Sequence, residues 1–302
     1  MKSYRRPLLN KLAGGLFVGA RRWFESVSLE KAERRGSALA LFMMRLDRKH
    51  REQTIANVGL AFPELGESER LALAKRTYAH FGVVAADFLR SGVRTIDDVL
   101  ANTSIEGIEH FHEAVARDRG IIALTAHFGN WERFAHYCTA LGHGITVVAR
   151  SADDESLESR VMALRAQTGM RVLARGNAAK ALLGELRKRA IVGILPDQNS
   201  EECFVPFFGH PCGTVLGPGV LHQRTGAALL PAFCARVGVG KYHVILRPLL
   251  DPDNRVQNPE EIAAATNAVL ESVIREYPEQ YLWLHDRWRS AKRRGLISLG
   301  PK

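Results

Sequence analysis

Residues 121–132 of the chain read Ile-Ile-Ala-Leu-Thr-Ala-His-Phe-Gly-Asn-Trp-Glu. The apolar run Ile121–Leu124 is typical of a buried strand, which carries apolar side chains on both faces. Asn130 is a favourable N-cap for a helix, and Gly129 can adopt the backbone conformations of a sharp turn. This stretch therefore predicts a strand that leads through a turn into a helix, the repeating unit of an α/β fold.

The same alternation continues along the chain from about residue 105. Six apolar runs are candidate strands: residues 121–125, 145–149, 170–174, 191–195, 228–235 and 242–246. Segments with helical spacing separate the first five of them: residues 129–142, 154–168, 177–189 and 214–225. The pattern predicts an α/β fold with a central β-sheet flanked by helices, and glycines between the last two runs indicate a hairpin.

Charge is distributed unevenly over the 302 residues. The formal net charge is +10, and residues 1–51 hold 13 Lys and Arg against 4 Asp and Glu, so nearly all of the excess lies at the N-terminal end. The chain is 46% hydrophobic and can bury a sizeable core. We expect a basic, amphipathic, helical extension at residues 1–50 and a domain over residues 51–302.

The N-terminal extension carries two mostly apolar runs, residues 12–20 and 36–44, bracketed by arginines. Each run is shorter than the roughly 20 residues that a transmembrane helix needs. Trp23, Phe24 and Phe42 beside arginines suit a helix that lies at an anionic membrane surface, while an amphipathic helix packed on the domain fits equally well. Because no recognition motif accompanies the basic charge, we expect no nucleic-acid partner.

His127 and Glu132 are the candidate catalytic residues. In a continuous helix their side chains would point about 140° apart, whereas at a strand-to-helix turn they can meet. A carboxylate that accepts a hydrogen bond from one imidazole nitrogen leaves the other free to take a proton from a hydroxyl. Asn130 and nearby backbone amides are candidate donors to a substrate oxyanion. The alternative is a buried histidine that a local carboxylate satisfies.

Other catalytic chemistries fit the sequence less well. A metal site would need a third ligand, for which His136 is available, but the sequence has no Cys/His cluster with metal-binding spacing. It also has no Gly-x-Ser-x-Gly motif and no Gly-rich phosphate loop. We therefore expect neither a metal nor a cofactor.

Several motifs occur in the same order as in a known family. They are His127-Phe-Gly-Asn-Trp-Glu132, Arg150 at the end of a strand, residues 194–199 (Ile-Leu-Pro-Asp-Gln-Asn), residues 204–209 (Phe-Val-Pro-Phe-Phe-Gly), residues 224–227 (Arg-Thr-Gly-Ala) and residues 281–285 (Tyr-Leu-Trp-Leu-His). Over about residues 50–290 the chain resembles the bacterial lipid A late acyltransferases, the lauroyl and myristoyl transferases of the lysophospholipid acyltransferase superfamily. The resemblance implies a fold like that of the glycerol-phosphate acyltransferases.

The resemblance also implies an activity, which is transfer of a fatty acyl chain from acyl-acyl carrier protein to a hydroxyl of an anionic lipid, a lipid A precursor. It implies a peripheral or monotopic enzyme at the cytoplasmic face of the inner membrane. Residues 51–302 would then be the acyltransferase domain, with residues 1–50 associating with the membrane surface. Acyl-coenzyme A as donor, a phosphatidylinositol mannoside or another lipid as acceptor, and a catalytically silent lipid-binding module are the alternatives.

Individual residues follow from the resemblance as well. The family's His-x4-Asp/Glu motif falls on His127 and Glu132, which implies a general base and its orienting carboxylate. Arg150 matches a second block, where a cation would meet a phosphate of the donor or acceptor. Asp197 and Gln198 match a third block and are expected to bind substrate, with a polar turn after a strand as the alternative.

Overall fold

The computed structural model describes residues 7–149, 155–174 and 178–297. Its strands are β1 (Thr103–Glu106), β2 (Ile121–Leu124), β3 (Ile145–Ala149), β4 (Arg171–Ala174), β5 (Ile191–Ile194), β6 (Cys203–Phe207), β7 (His210–Thr214), β8 (Ala228–Gly238) and β9 (Lys241–Leu246). Its helices are α1 (Pro7–Glu25), α2 (Leu29–Leu46), α3 (Arg48–Ala61), α4 (Glu67–Leu89), α5 (Ile96–Ala101), α6 (Ile108–Ala116), α7 (Trp131–Ala140), α8 (Glu155–Gln167), α9 (Ala178–Arg187), α10 (Gly217–Thr225), α11 (Pro259–Glu276) and α12 (Arg289–Arg293).

Seven of the described strands form one sheet in the order β1-β9-β8-β2-β5-β3-β4. All neighbouring pairs run parallel except β8 and β9, which form the predicted antiparallel hairpin. Each of the six candidate strands lies in this sheet, and helices cover both of its faces. The α/β fold with a central sheet, flanking helices and a helical basic N-terminal extension is therefore confirmed.

Strand β2 lies in the middle of the sheet and shows how both faces are buried. Ile121 and Ala123 join one apolar cluster, which includes Phe134 of α7. Ile122 and Leu124 join another cluster on the opposite face, beneath α9 and α10. Full burial of such a side chain contributes roughly 1.5–3 kcal/mol, so the helices are held to the sheet mainly by these contacts.

Strands β1, β6 and β7 were not predicted from the sequence. Strand β1 is a four-residue edge strand whose residues are alternately half-buried and exposed, so it lacks the apolar run of a buried strand. Strands β6 and β7 form a separate two-stranded ribbon in which Pro206 pairs with Pro211. Proline cannot donate to a strand ladder and argues against a strand in sequence, but it is tolerated in an edge ribbon of this kind.

The N-terminal extension packs on the domain. Helices α2 and α4 cross where glycines face each other, and a Cβ atom on Gly36 would lie 2.2 Å from the carbonyl oxygen of Gly82. Buried Glu33 of α2 forms an ion pair with Arg236 and accepts a hydrogen bond from the backbone N–H of Gly240, at 2.8 Å. Close backbone approach and a partly buried ion pair thus hold α2 to α4 and to the β8–β9 hairpin.

Helix α3 runs across the expected boundary between residues 50 and 51. Among the helices that the structure describes, no segment is long and apolar enough to cross a membrane. The assignment of residues 1–50 as a membrane-associating segment stays a prediction.

Candidate active site

The candidate site lies at the C-terminal ends of the central strands β2 and β5. These strands are parallel neighbours in which Leu124 pairs with Ile194, so the loops that follow them begin side by side. The N–H of Thr125 continues the ladder by donating to the carbonyl of Ile194, at 3.0 Å. The carboxyl end of a parallel sheet is the usual place for a ligand in an α/β fold, because polar loop residues converge there.

His127 and Asp197 meet at this edge, each three residues beyond the end of its strand. Nδ1 of His127 lies 2.9 Å from Oδ1 of Asp197, and the backbone N–H of His127 donates to Oδ2, also at 2.9 Å. Asp197 is almost completely buried, whereas the imidazole is partly exposed. Since an ionised carboxylate only accepts hydrogen bonds, Nδ1 carries the proton and Nε2 is the nitrogen that can exchange one with a ligand.

The contact between the two residues changes the pKa of both. Burial alone would raise the pKa of Asp197, but the charge of His127 and its two hydrogen bonds hold the pKa below its ordinary value. Burial alone would lower the pKa of His127, but the charge and hydrogen bond of Asp197 raise it, with a further contribution from the charge of Glu132. The site therefore favours the imidazolium form, which is the product of proton abstraction.

Glu132 occupies a different position from the one expected. It lies in the first turn of α7, where both of its carboxylate oxygens accept from Nε of Arg165 at 3.1 Å and Oε1 also contacts the Nη2 group. The carboxylate against Nδ1 of His127 is therefore Asp197, which corrects the expectation that Glu132 orients the imidazole. Spacing within the motif pointed to the nearest carboxylate, whereas the parallel pairing of β2 and β5 delivers one from a distant part of the chain.

Asn130 holds the start of α7. Its side-chain oxygen accepts from the N–H of Arg133 at 2.9 Å, as an N-cap does, and its amide nitrogen donates to Asp87 at 2.8 Å. The residue is completely buried. This geometry gives Asn130 a structural role at the turn, because its side chain already has partners within the protein. The expected contact of Asn130 with substrate stays a prediction.

Gly129 gives the turn its shape. It has a φ of +55°, and a Cβ atom there would lie 2.0 Å from the carbonyl oxygen of Cys234. Its N–H donates to the carbonyl of Gln280 at 2.8 Å, and its carbonyl accepts from buried Nε2 of His80 at 3.0 Å. Only glycine combines this backbone conformation with so close an approach, and the resulting contacts fix the loop that carries His127.

The loop that carries Asp197 is held by the C-terminal segment. The N–H of Asn199 donates to Nε2 of His285 at 2.9 Å, and buried Arg287 donates to the carbonyl of Gln198 at 3.1 Å. The charge of Arg287 also contributes to lowering the pKa of Asp197. The Tyr-Leu-Trp-Leu-His motif thus leads directly into residues that support the site.

A cavity of about 420 Å³ adjoins this site. Its polar lining comes from Thr125, His127, Glu132, Arg165 and Gln198. The rest of its lining is apolar and comes from α7, β3 and β5 and from residues around them. The ring of Trp131 also lines it and packs edge-on against the imidazole, with 5.1 Å between ring centroids. A cavity that is polar at one part and apolar over the rest suits an amphipathic ligand.

The structure treats the remaining predicted residues differently. Gln198 lines the cavity, and its binding role stays a prediction. Arg150 lies outside the described residues. Arg165 and Arg287 were missed by the sequence analysis. Arg287 follows the Tyr-Leu-Trp-Leu-His motif by two residues, and this position was a usable signal. Arg165 is one of several charged residues in α8, and no feature of the sequence distinguishes it from the others.

Comparison with known proteins identifies the class of this enzyme. A family model described as Bacterial lipid A biosynthesis acyltransferase matches residues 13–290. The chain belongs to this family, which confirms the resemblance found in its motifs, and the protein is an acyltransferase.

Individual relatives agree with this assignment. The chain is 29% identical over 266 residues to the lipid A biosynthesis lauroyltransferase of Escherichia coli (strain K12), covering 85% of each chain. It is 24% identical over 249 residues to a lipid A biosynthesis acyltransferase of Haemophilus influenzae, covering 81% of this chain and 77% of the relative. It is also 28% identical over 193 residues to a phosphatidylinositol mannoside acyltransferase of Mycobacterium tuberculosis, covering 61% of this chain and 59% of the relative.

Proposed function

We propose that the protein transfers a fatty acyl chain from acyl-acyl carrier protein to a hydroxyl of a lipid A precursor, with His127 as the general base. The observation that carries the proposal is the bond from Nδ1 of His127 to buried Asp197, next to a cavity with polar and apolar parts. The polar part suits the reacting hydroxyl and thioester, and the apolar part suits the acyl chain. The names of the relatives support a lipid acceptor of this type.

In this mechanism the acceptor hydroxyl lies next to Nε2 of His127. Nε2 takes its proton while the oxygen attacks the thioester carbonyl carbon, so a C–O bond forms and the carbonyl oxygen becomes an oxyanion. Collapse of this intermediate breaks the C–S bond, and the leaving thiolate recovers the proton from the imidazolium. Asp197 keeps the tautomer and stabilises the imidazolium, as the carboxylate of a catalytic triad does.

Glu132 and Arg165 act on the same site in a different way. Glu132 raises the pKa of His127 through its charge and holds the Arg165 guanidinium at the cavity with hydrogen bonds to both carboxylate oxygens. We assign Glu132 as a positioning residue for Arg165, whose own charge opposes the effect of Glu132 on the pKa of His127. Arg150 and Gln198 remain candidate contacts to the anionic groups of the substrates, as the family resemblance implies.

The membrane surface is the proposed location of the enzyme. Leu39, Phe42, Met43 and Leu46 form a stripe on α2 at helical spacing, and each is between 48% and 64% exposed. This α2 stripe lies in the most basic part of the chain, whose charge attracts anionic headgroups. We propose peripheral attachment through the α2 stripe at the cytoplasmic face of the inner membrane. The same basic charge suits an acidic carrier protein as donor.

Three alternatives remain, of which two differ in a substrate and one in the class of protein. The similarity to a phosphatidylinositol mannoside acyltransferase favours a different glycolipid acceptor as the second candidate, and acyl-coenzyme A is the second candidate donor. A lipid-binding module without catalysis is the third. It predicts lipid binding that is indifferent to substitution of His127 and no consumption of thioester.

The test is to incubate the purified protein with each combination of donor and acceptor and to identify the products by mass spectrometry. Acylated lipid A precursor formed from acyl-acyl carrier protein, and lost in His127→Ala, is the expected result. Product formed only with phosphatidylinositol mannoside or acyl-coenzyme A would replace the substrate assignment. Lipid binding without any product would favour the third alternative.

A further inference from the structure

A second, smaller cavity lies next to the one at the active site. It measures about 40 Å³ and is lined almost entirely by apolar side chains, among them Ile121, Tyr137 and Leu230. Of the residues that the structure describes, Phe134 alone lines both cavities. Its side chain is 5% exposed and belongs to the apolar cluster beneath α7. The Phe134 ring therefore separates the active-site cavity from further apolar space.

The sheet beneath the larger cavity contains Gly193 in the middle of β5, between Ala123 of β2 and Val147 of β3. Gly193 lines the cavity together with Ile145 and Val147. A Cβ atom on Gly193 would lie 3.1 Å from Val147 Cγ1 and 3.2 Å from Ile145 Cδ1. The side chains of Ile145 and Val147 thus already pack close to Gly193, and one added methyl group would displace these side chains, which line the cavity.

We propose that Phe134 and Gly193 together set the length of acyl chain that the enzyme transfers. The inference rests on the proposed function, because it takes the apolar part of the larger cavity as the site of the acyl chain. Phe134 stops the chain at the boundary with the smaller cavity, and Gly193 lets Ile145 and Val147 pack close to the sheet, which keeps the larger cavity open for the chain. Neither residue has a side-chain group that could take part in proton transfer.

The chemistry of an acyl chain explains why two apolar residues suffice. A saturated chain has no hydrogen-bonding groups, so it is recognised by the apolar area that it buries and by the space that admits it. Interiors are close-packed, and an extra methylene that meets a filled position must displace side chains. Replacing Phe134 by a smaller residue joins the two cavities, whereas adding a methyl group at Gly193 narrows the larger one.

The two sites therefore predict changes in opposite directions. In a mixture of saturated acyl donors, Phe134→Ala shifts the preferred donor to longer chains than the wild-type protein prefers, and Gly193→Ala shifts it to shorter ones. For two donors that differ by two methylenes, we expect the ratio of their kcat/KM values to change by roughly tenfold in each variant. Products are read by mass spectrometry after competition in one reaction.

Controls separate specificity from stability. Phe134→Leu retains more of the core and should shift the preference in the same direction as Phe134→Ala but less. Phe208→Leu removes the same atoms from a side chain that is also 5% exposed and lines neither cavity, so it should leave the preference unchanged. Thermal unfolding of every variant establishes that each is folded at the assay temperature.

The outcomes of the competition are distinct. Absence of any product with the wild-type protein contradicts the proposed function itself. If the wild-type protein transfers normally and Phe134→Ala, Phe134→Leu and Gly193→Ala keep its chain preference, the chain-length inference alone is overturned. A change of preference in the same direction at Phe134 and Gly193 also overturns it.

Discussion

His127 and Asp197 are joined at two points although 70 residues separate them in the sequence. One carboxylate oxygen accepts from the imidazole and the other from the backbone N–H of the same histidine, at 2.9 Å each. Both the orientation of the ring and the position of its loop therefore depend on a single buried side chain.

Asp197→Asn keeps the shape of this side chain but removes its charge. We expect kcat/KM to fall about 10²- to 10⁴-fold, because the imidazolium loses its stabilising partner and the tautomer is no longer imposed. The pKa of His127 should also fall, so the rising limb of the pH profile should move to lower pH. Steady-state rates over a pH series measure both effects. A variant with an unchanged limb would show that Asp197 does not act through the histidine.

Substitutions of Glu132 and Arg165 should be coupled. Glu132→Gln and Arg165→Gln each lower the rate of transfer, and the double variant should lose less than the two separate losses combined, since each residue acts through the other. A coupling energy on the order of 0.5–3 kcal/mol is expected for such a pair. A double-mutant cycle on kcat/KM measures it, and strictly additive losses would mean that the pair has no common role.

The stability of the protein should depend on pH through His127 and Asp197. The pKa of Asp197 is lower in the folded protein than its ordinary value of 3.8, so the carboxylate contributes stability above pH 3.8. This contribution is lost as the pH falls through the pKa of the folded state. The pKa of His127 is higher in the folded protein than its ordinary value of 6.5, so the imidazolium contributes stability below pH 6.5. This contribution is lost as the pH rises through the pKa of the folded state. The difference in unfolding free energy between wild type and Asp197→Asn should therefore be largest between these values. Denaturant titrations at several pH values measure this difference.

Gly129→Ala should destabilise the turn by about 1–3 kcal/mol and lower transfer, because it adds strain at a positive φ and a clash with the backbone of β8. Gly142→Ala is the matched control, since Gly142 also has a positive φ but has open space around its Cβ position. The loss of stability in Gly142→Ala should be smaller, and acyl transfer should stay intact. Denaturant unfolding and initial rates are measured for both variants. Equal losses of stability in Gly129→Ala and Gly142→Ala would show that the close approach to Cys234 has no effect.

The α2 stripe should determine membrane binding. Leu39→Asn combined with Phe42→Asn should weaken binding to vesicles of anionic lipid roughly tenfold, because two half-exposed apolar side chains no longer enter the interface. Val115→Asn changes an apolar residue on α6 with similar exposure and should have no effect. Sedimentation with vesicles at low and high salt measures binding. Equal binding by all three proteins would contradict attachment through α2.

Much of the fold could be predicted because its signals are local. The run before Thr125 is apolar on both faces, and Asn130 caps α7 where the sequence predicted a helix. The edge strand β1 lacks such a signal, because its partner β9 is distant in sequence. The strands of the β6–β7 ribbon are adjacent in sequence, but the prolines that pair across it argue against a strand. Local periodicity reports burial, and short or half-exposed strands have little of it.

The candidate site shows the same difference between local and long-range signals. The sequence by itself determined that His127 lies at a strand-to-helix turn and that the chain has the ordered motifs of an acyltransferase. Only the tertiary structure decided which carboxylate serves the histidine, since Asp197 reaches it through the pairing of β2 with β5, while Glu132 turns to Arg165. Hydrogen-bond partners are set by distances in space, and a motif constrains those distances only within its own few residues.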